Sequence, residues 1–348
     1  MKLVNYTPWP HLLFERRDTF DRPLGVLALQ GTFAIDESAP LRALREQAPV
    51  QVGDVHRGDP ATSSLKRAGA TATFKPKSEI HVDAVAHAPT GKPRTSWPIR
   101  IRVGKLQQDL VVRGPHQWRH APVLGWRKGA IEPCTEVPLH DELAFGGSHR
   151  IDGKIVEERR NPVGTGFLPR GIDTRDPIAA PQIVAVDEPL HLPGSRVAPR
   201  GCGPIPSYFA PRCDRIGTID ARWLAEKWPC VPEDFDYAHY QAAHPDLVYP
   251  GYLKGDEPIE LVHLLPGGGS VLSALPDWRV WTLLRLGDGR MLRWPTQLDT
   301  VHFDLASPDP SEHRAYLTWR AVFPLSASLR RVESRMTRSD QRSRVEAA

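Results

Sequence analysis

The sequence predicts a mainly β protein, built from antiparallel β-sandwich-like lobes with long Pro/Gly-rich loops and a few short helices. Proline accounts for 35 of the 348 residues, about twice its usual share, which disfavours a helical bundle. Apolar and polar residues alternate along several runs, as they do in strands that bury one face. The connections between the early runs are too short for helical crossovers, so these strands are predicted to be antiparallel.

The clearest strand prediction begins at Glu79, where alternation is regular through His87. Two further runs, 97–103 and 105–112, complete a predicted meander, and residues 24–35 form an earlier strand. Residues 50–78 are poor in apolar side chains and are predicted to be loop. One face of the 79–87 strand is predicted to carry Ile80, Val82, Ala84 and Ala86, and the other His81, Asp83, Val85 and His87.

Regular periodicity fails between residues 118 and 203, where glycine and proline recur, and only residues 182–186 suggest a strand there. Strands resume late in the chain, at 259–265, 278–286, 290–294, 300–305 and 314–322. We therefore expect two β-rich lobes separated by an irregular region. The predicted units are an N-terminal lobe (1–115), a connector packed on both lobes (116–257), a C-terminal lobe (258–326) and a basic flexible tail (327–348).

Residues 201–236 are the least ordinary stretch of the connector, because prolines exclude both a regular strand and a long helix. One short helix is predicted, with Asp220 as its N-cap and its end before Pro229. We expect this segment to be a clasp between the lobes, anchored by Trp223 and Trp228. If Trp223 were fully buried, Trp223→Ala would cost about 3–5 kcal/mol.

Charge and hydropathy exclude several classes of partner. The formal net charge is +4, and the segment from Arg330 to Ala348 holds six arginines against three acids, so the body is close to neutral. No nucleic-acid partner is expected, because that requires a clustered basic face. No apolar run is long enough for a membrane span, and the N-terminus lacks the pattern of a signal peptide. The predicted compartment is the cytoplasm.

No motif for a metal or other cofactor is found. The run Gly267–Gly269 lacks the following helix and lysine of a phosphate-binding loop, and no H-E-x-x-H occurs. The four cysteines form no C-x-x-C pair. Cys202 and Cys213 bracket a proline-rich loop, and although free thiols are favoured, their pairing stays open.

Two enzymatic hypotheses stay open beside a binding role. Asp234 and Asp236 offer a carboxylate pair for a hydrolase, although helix capping by Asp236 is the simpler role. Cys213 lies between Arg212 and Arg215, whose positive charge favours a thiolate. Neither hypothesis has a positioned base at a recognisable spacing. Ten tryptophans in a proline-stiffened scaffold favour a binding protein instead.

Three distinctive motifs follow one another along the chain: Glu142–Gly147 (ELAFGG), Asn161–Phe167 (NPVGTGF) and Pro232–Asp236 (PEDFD). Together and in this order they resemble a bacterial domain-of-unknown-function family found in type VI secretion loci, with Asp141 and Ile219 replacing aromatic residues of the family pattern. The resemblance spans roughly residues 20–325. Its motif positions, with structural or interaction roles, are Glu142, Phe145, Gly146, Gly147, Asn161, Pro162, Gly164, Gly166, Pro211, Arg212, Gly217, Thr218, Asp220, Trp223, Asp234, Phe235 and Asp236.

The resemblance implies a role without catalysis. Members of that family are thought to be adaptor chaperones that hold a toxic effector and help load it onto the secretion spike. The implied partners are therefore a secreted effector and a spike protein, of the valine-glycine-repeat or the proline-alanine-alanine-arginine repeat type. A structural part of the secretion apparatus is the remaining alternative.

Overall fold

The computed structural model describes residues 1–172, 174–188, 191–195 and 197–338, and within them the protein is mainly β, as predicted. The strands are β1 (Lys2–Asn5), β2 (His11–Arg17), β3 (Pro23–Ala34), β4 (Arg42–Ala43), β5 (Val55–His56), β6 (Leu65–Arg67), β7 (Glu79–His87), β8 (Ser96–Val103), β9 (Leu106–Arg113), β10 (Gln117–Ala121), β11 (Gly125–Lys128), β12 (Glu136–Pro138), β13 (Phe145–Gly146), β14 (Ser148–Ile151), β15 (Lys154–Glu157), β16 (Thr165–Gly166), β17 (Ile178–Ala179), β18 (Ile183–Ala185), β19 (Pro258–Leu265), β20 (Gly269–Ala274), β21 (Trp278–Leu286), β22 (Met291–Trp294), β23 (Gln297–Leu305), β24 (Arg314–Pro324) and β25 (Leu329–Arg338).

In the part of the chain that the structure describes, helical structure is confined to short segments. The α-helix, α1, spans Ala221–Glu226, close to its predicted position. Neither it nor any other helix in the described ranges is long and apolar enough to cross a membrane. Single 3₁₀ turns cover Pro89–Gly91, Asp141–Leu143, Cys213–Arg215, Tyr237–Tyr240, Pro245–Leu247, Pro266–Gly268 and Pro310–Glu312.

Three larger sheets organise the molecule. The central sheet has seven strands in the order β12–β7–β23–β24–β3–β2, with β4 also paired to β3. A five-stranded sheet has the order β18–β9–β8–β19–β20, and a four-stranded sheet has the order β1–β25–β21–β22. The smaller sheets are β11–β10–β17, β13–β16, β14–β15 and β5–β6.

The sheets do not follow the predicted division into two lobes. β7 pairs in parallel with β23, although more than two hundred residues separate them in the chain. β8, in the predicted N-terminal lobe, pairs with β19 from the predicted C-terminal lobe. β7 and β8 were expected to be neighbours in one meander but belong to different sheets. Alternation defines the buried face of a strand but carries no information about its pairing partner, which explains the difference.

The described part of the predicted flexible tail, residues 327–338, consists largely of a paired strand. β25 lies between β1 and β21 and pairs with both, in parallel with β1 and antiparallel with β21. Val332 at its centre is fully buried. Its arginines favour a flexible tail when the sequence is considered alone, but they lie in a strand whose central residues, 332–334, are buried. Residues 339–348 lie outside the described residues.

One apolar core lies between the central sheet and the five-stranded sheet. The four residues predicted to share one face of β7, Ile80, Val82, Ala84 and Ala86, are all fully buried in this core. They belong to the same core as Ile99 and Ile101 of β8 and Leu261 of β19. At the other end of the core, Trp9 stacks on Trp319 with ring centroids 4.4 Å apart.

The opposite face of the central sheet is polar, yet it is buried as well. Register pairs Glu79 with Thr300, His81 with His302 and Asp83 with Asp304, so these three polar side chains of β7 have polar neighbours on β23. Residues 54–78, which we call the covering segment, lie over this face. The covering segment was predicted as loop from its low apolar content, and its polarity matches the polar surface that it buries.

A carboxylate introduced at position 332 tests whether this segment is a paired strand or a flexible tail. Val332→Asp is expected to destabilise the protein by about 3 kcal/mol or more, because a charged group would lie in an apolar interior. Arg330→Asp, two residues earlier at an exposed position, is the matched control and is expected to change stability little. Chemical denaturation of both variants measures the difference, and equal stabilities would contradict the pairing of β25.

Candidate functional site

The Glu142–Gly147 and Asn161–Phe167 motifs meet in space, and we call the unit that they form the bracket. β13 and β16 pair in parallel, so Phe145 lies beside Thr165 and Gly146 beside Gly166. Asn161 holds this bracket together, because its side-chain amide donates to the carbonyls of Asp141 (2.7 Å) and Phe145 (3.1 Å).

Glycine is required where the two motifs touch. A Cβ at Gly146 would lie 2.1 Å from the carbonyl oxygen of Asn161, and one at Gly164 would lie 2.5 Å from its Nδ2. The amide of Gly147 donates to the same Asn161 carbonyl over 2.9 Å. Phe145 is buried and Pro162 is partly buried beside Asn161. These motif residues therefore have structural roles.

Glu142 joins this bracket to the covering segment. Its two carboxylate oxygens accept hydrogen bonds from the backbone N–H (2.8 Å) and hydroxyl (2.7 Å) of Ser64. Burial raises the pKa of Glu142, but the hydrogen bonds from Ser64 outweigh burial and lower the pKa below its ordinary value. Among the residues that the structure describes, no such donor reaches the carboxylate of the neighbouring Asp141. Burial together with the charge of Glu142 raises the pKa of Asp141 to about 7.

The clasp segment, residues 201–236, is fixed to the protein by a buried arginine. Arg212 donates from Nε to the carbonyl of His239 (2.8 Å) and from Nη1 to the carbonyl of Ile205. Pro211 beside it is partly buried. On the same segment the carbonyl of Cys202 accepts a hydrogen bond from the N–H of Val82 in β7 (2.7 Å), which connects the clasp to the central sheet.

The aspartates of the clasp organise its backbone. Asp220 caps α1 by accepting from the Trp223 N–H (2.7 Å), and Asp236 caps the following 3₁₀ turn by accepting from the Ala238 N–H (2.8 Å). Both caps confirm predictions. Asp234 accepts from both the N–H and the hydroxyl of Thr218, and these hydrogen bonds lower the pKa of Asp234.

Gly217 and Phe235 complete this part of the motif set. Gly217 has a φ of +84°, and a Cβ there would lie 2.6 Å from Oδ1 of Asp234. The ring of Phe235 is buried against those of Tyr237 and Tyr240, with centroid distances of 5.4 and 5.3 Å. The turn at 217–218 and the stretch 232–236 are therefore held side by side.

Residues from these two stretches and α1 line one depression on the surface, which we call the clasp depression. Its volume is about 270 Å³. The indole of Trp223 forms part of its wall and donates from Nε1 to the carbonyl of Cys230 (3.0 Å). The lining residues are Thr218, Asp220, Arg222, Trp223, Glu226, Lys227, Pro232, Glu233 and Asp234.

The charge of the clasp depression is negative. Its four carboxylates outnumber its two cations, and both cations already form ion pairs, Arg222 with Glu226 (3.1 Å) and Lys227 with Glu233 (2.9 Å). The ion pair with Lys227 lowers the pKa of Glu233. A surface of this kind favours a basic group of a partner, and the indole of Trp223 adds a face for cation–π contact.

Exposed apolar side chains adjoin the clasp depression. Ile219 is 59% exposed, Leu224 62% and Trp228 65%, so Trp228 is not the buried anchor that the sequence predicted. Ile219 directly precedes the N-cap Asp220, and Leu224 is the fourth residue of the helix. Apolar residues at these two positions often pack together at a helix start. Leu224 lies within α1, and Trp228 follows its C-cap, Lys227. Large exposed apolar groups are expensive in water and often mark interaction sites.

The residues of the enzymatic hypotheses have other partners. The carboxylates of Asp234 and Asp236 accept backbone hydrogen bonds, as described above. The thiol of Cys213 contacts Nη2 of Arg159 (3.4 Å) and Oδ1 of Asp214 (3.8 Å). Cys202 and Cys213 are both free, as are Cys134 and Cys230. Within the described ranges, no group of three or more His, Cys, Asp or Glu side chains is arranged to hold a metal ion.

A second polar cluster, which the sequence alone did not reveal, lies on the buried polar face of the central sheet. Lys75 of the covering segment donates to Glu79 and to Thr300 (2.8 Å), and Arg57 donates to Asp83 (2.6 Å). Burial raises the pKa of Glu79, but the charges of Lys75 and His81 outweigh it and hold that pKa well below its ordinary value. The alternating polar residues at 79–83 and 300–304 can be seen in the sequence, but the pairing of these two strands cannot.

A further buried ion pair joins Arg320 to Asp299. Asp299 lies at a bulge between β23 and β24, where the register shifts between Leu298 and Thr300. Its carboxylate accepts from Nε of Arg320 (2.6 Å), while Nη1 of Arg320 donates to the carbonyls of Ala70 and Ala72 (both 2.7 Å). The covering segment is therefore fixed to the sheet at both ends.

A family model described as "Uncharacterized protein conserved in bacteria (DUF2169)" matches residues 21–320. The chain belongs to the DUF2169 family. The match spans the central sheet from β3 to β24 and includes both motif groups. In this DUF2169 protein the bracket, the clasp and the covering segment thus all lie inside the family region. Searches of curated proteins and of solved structures each gave no match.

The elevated pKa of Asp141 predicts a pH-dependent stability. Its pKa in the folded DUF2169 protein is about 7, above the ordinary value of 3.8. Between these two pH values the folded protein keeps a proton on Asp141 that the unfolded protein releases. The free energy of unfolding therefore falls as pH rises from about 3.8 to about 7. Asp141→Asn is expected to stabilise the protein by about 1–3 kcal/mol at pH 8 and progressively less toward pH 5. Denaturant unfolding at both pH values measures this.

Asp234→Asn is a control for which we expect the opposite change in stability. Because hydrogen bonds from Thr218 lower the pKa of Asp234, its charged form stabilises the fold above its ordinary pKa. The variant is expected to lose stability at pH 8. Equal pH profiles for the Asp141→Asn variant and the unmodified protein would contradict the assignment for Asp141.

Trp223→Ala tests the role of the clasp. Trp223 is only partly buried, so the expected loss is about 1–2 kcal/mol rather than the 3–5 kcal/mol of a fully buried tryptophan. Trp319→Ala, which removes a fully buried ring of the apolar core, is the comparison and is expected to cost about 3–5 kcal/mol. A similar loss for both variants, measured by denaturant unfolding, would overturn the description of Trp223 as part of a surface wall.

Proposed function

We propose that this chain is a non-catalytic cytoplasmic adaptor that binds a secreted effector protein and assists its loading onto a type VI secretion spike. The observation that carries the proposal is the clasp depression, where motif residues from two stretches and α1 meet beside exposed apolar side chains. The resemblance of the same motifs to a family from type VI secretion loci supports the choice of partner.

The chemistry of the clasp depression favours a particular kind of partner segment. Its carboxylates favour lysine or arginine, and Trp223 offers a face to such a cation. Ile219, Leu224 and Trp228 offer apolar area next to that charge. We therefore propose that the effector contributes a segment that combines basic and apolar residues. Electrostatic attraction would mainly accelerate association, while the apolar contacts would slow dissociation.

The backbone around the clasp depression is already ordered, which lowers the entropic cost of binding. Asp220 and Asp234 fix the chain on two sides of the depression through the hydrogen bonds described above. The thiol of Cys230 contacts the carboxylate of Asp21 over 3.0 Å, so the turn before β3 supports the segment that follows α1. An adaptor that must hold a cargo until loading benefits from a surface that needs no reordering.

Co-purification with the effector encoded beside this gene tests the proposal. Trp228→Ser and Leu224→Ser are expected to reduce recovery of the effector at least tenfold, since exposed aromatic and aliphatic anchors carry much of the energy at interfaces. Leu272→Ser is the matched control, because Leu272 is 61% exposed on β20, outside the clasp, and should leave recovery unchanged. Equal recovery in all variants would exclude the clasp depression as the binding surface.

A strain without this protein separates the adaptor role from the alternatives. The effector is expected to become insoluble or to be missing from spike particles sheared from the cell surface. If the effector stays soluble and still reaches the spike, the proposal fails. If the protein itself is recovered in sheared particles in fixed ratio to the spike, it is a structural part of the apparatus.

A further inference from the structure

A small, partly enclosed cavity lies between the polar face of the central sheet and the covering segment. Its volume is about 20 Å³, enough for one water molecule or one monatomic ion and too small for a polyatomic ligand. Strands β3, β7, β23 and β24 supply one wall, and the covering segment supplies the other. The polar lining side chains are Gln30, Arg67, Lys75, His81, Thr300, His302, Tyr316, Thr318 and Arg320.

Several nitrogen atoms of this lining have no hydrogen-bond partner within the described structure. They are both ring nitrogens of His302, Nη2 of Arg67 and Nη2 of Arg320. His302 and Arg320 are each only 3% exposed, so bulk water does not compensate them. Buried donors of this kind are rare in native proteins unless an ordered water or ion satisfies them.

The charges around the cavity favour an anion over a cation. Lys75 and Arg320 are balanced by their ion pairs with Glu79 and Asp299. The guanidinium of Arg67 instead lies over the ring of Tyr316, 3.7 Å from its centroid, and burial lowers the pKa of Arg67. Asp304 and Tyr316 partly offset this effect of burial. No described carboxylate forms an ion pair with Arg67, and none lines the cavity.

His302 contributes as a neutral donor. Burial, together with the positive charges of neighbouring groups that include His81 and Arg67, lowers the pKa of His302 well below its ordinary value. A neutral imidazole has one N–H group to donate. Guanidinium N–H groups from Arg67 and Arg320 approach from the covering segment and from β24, respectively. These donors surround the cavity from two walls.

We propose that this cavity is an anion site that takes a single halide ion, with chloride as the physiological ligand, held by Arg67, His302 and Arg320. The ion balances the charge of Arg67 and supplies an acceptor for donors that otherwise have none. Because one wall is the covering segment, the bound ion stabilises the attachment of that segment to the central sheet.

Thermal unfolding in sodium chloride and in sodium gluconate, at equal ionic strength, tests the site. A ligand that binds only the folded state adds stability with the logarithm of its concentration. We expect Tm to rise by about 1–3 °C for each tenfold increase in chloride above its dissociation constant, and not to rise in gluconate. Arg67→Gln should abolish this difference, whereas Arg314→Gln, on β24 outside the lining, should retain it.

Bromide provides a direct readout that does not depend on any variant. Crystals grown in sodium bromide should show one anomalous peak inside the cavity, within hydrogen-bond distance of Arg67 and His302. Identical Tm values of the unmodified protein in chloride and gluconate, or a cavity that holds only water in bromide-grown crystals, would overturn the proposal.

Discussion

The ion pair between Lys75 and Glu79 lies in the interior, with the lysine side chain 3% exposed and the glutamate fully buried. One oxygen of Glu79 accepts from Lys75, and the other accepts from the backbone N–H of Ala243 (3.1 Å). A single carboxylate of the central strand thus joins the sheet to the covering segment and to the irregular chain after the clasp. Removing either partner would leave a buried charge without compensation, which is far more costly than losing a surface ion pair. The position of both irregular regions depends on this contact.

The consequence is a central sheet that is buried on two chemically different faces. The apolar face packs on the five-stranded sheet, as in an ordinary sandwich. Several polar groups of the other face pair with side chains of the covering segment, which has little regular structure of its own. The proposed anion would supply an acceptor for the donors that remain. Buried polar networks specify a unique arrangement when every member has a partner. The covering segment is therefore a structural component whose polarity matches the face that it buries.

The clasp shows how irregular chain can present a defined surface. Asp220, Asp234 and Asp236 each satisfy backbone donors, and the glycine at 217 permits the close approach of two stretches. Trp223, Leu224 and Trp228 are left on or near the outside of a short helix in which no residue is buried. A helix of this length is not stable alone, so its conformation is maintained by capping and by contacts with the adjoining chain. Rigidity and exposed apolar area are the two properties that a binding surface needs.

Local patterns in the sequence predict the features that depend on near neighbours in the chain. These include the β class, the face shared by Ile80, Val82, Ala84 and Ala86, the late strands, and the caps supplied by Asp220 and Asp236. Each follows from a local period or from a hydrogen bond within a few residues. The coming together of the Glu142–Gly147 and Asn161–Phe167 motifs was not derivable in this way, although both motifs were recognisable.

Only the tertiary structure decided which strands pair and which side chains become buried. The pairing of β7 with β23 joins distant parts of the chain, and with it His81 meets His302 and Asp83 meets Asp304. Backbone hydrogen bonding is the same for any pair of strands, so alternation cannot specify a partner. The burial of the polar covering segment and the exposure of Trp228 have the same origin. Whether a side chain is inside depends on what distant chain covers it, and that is a property of the assembled fold.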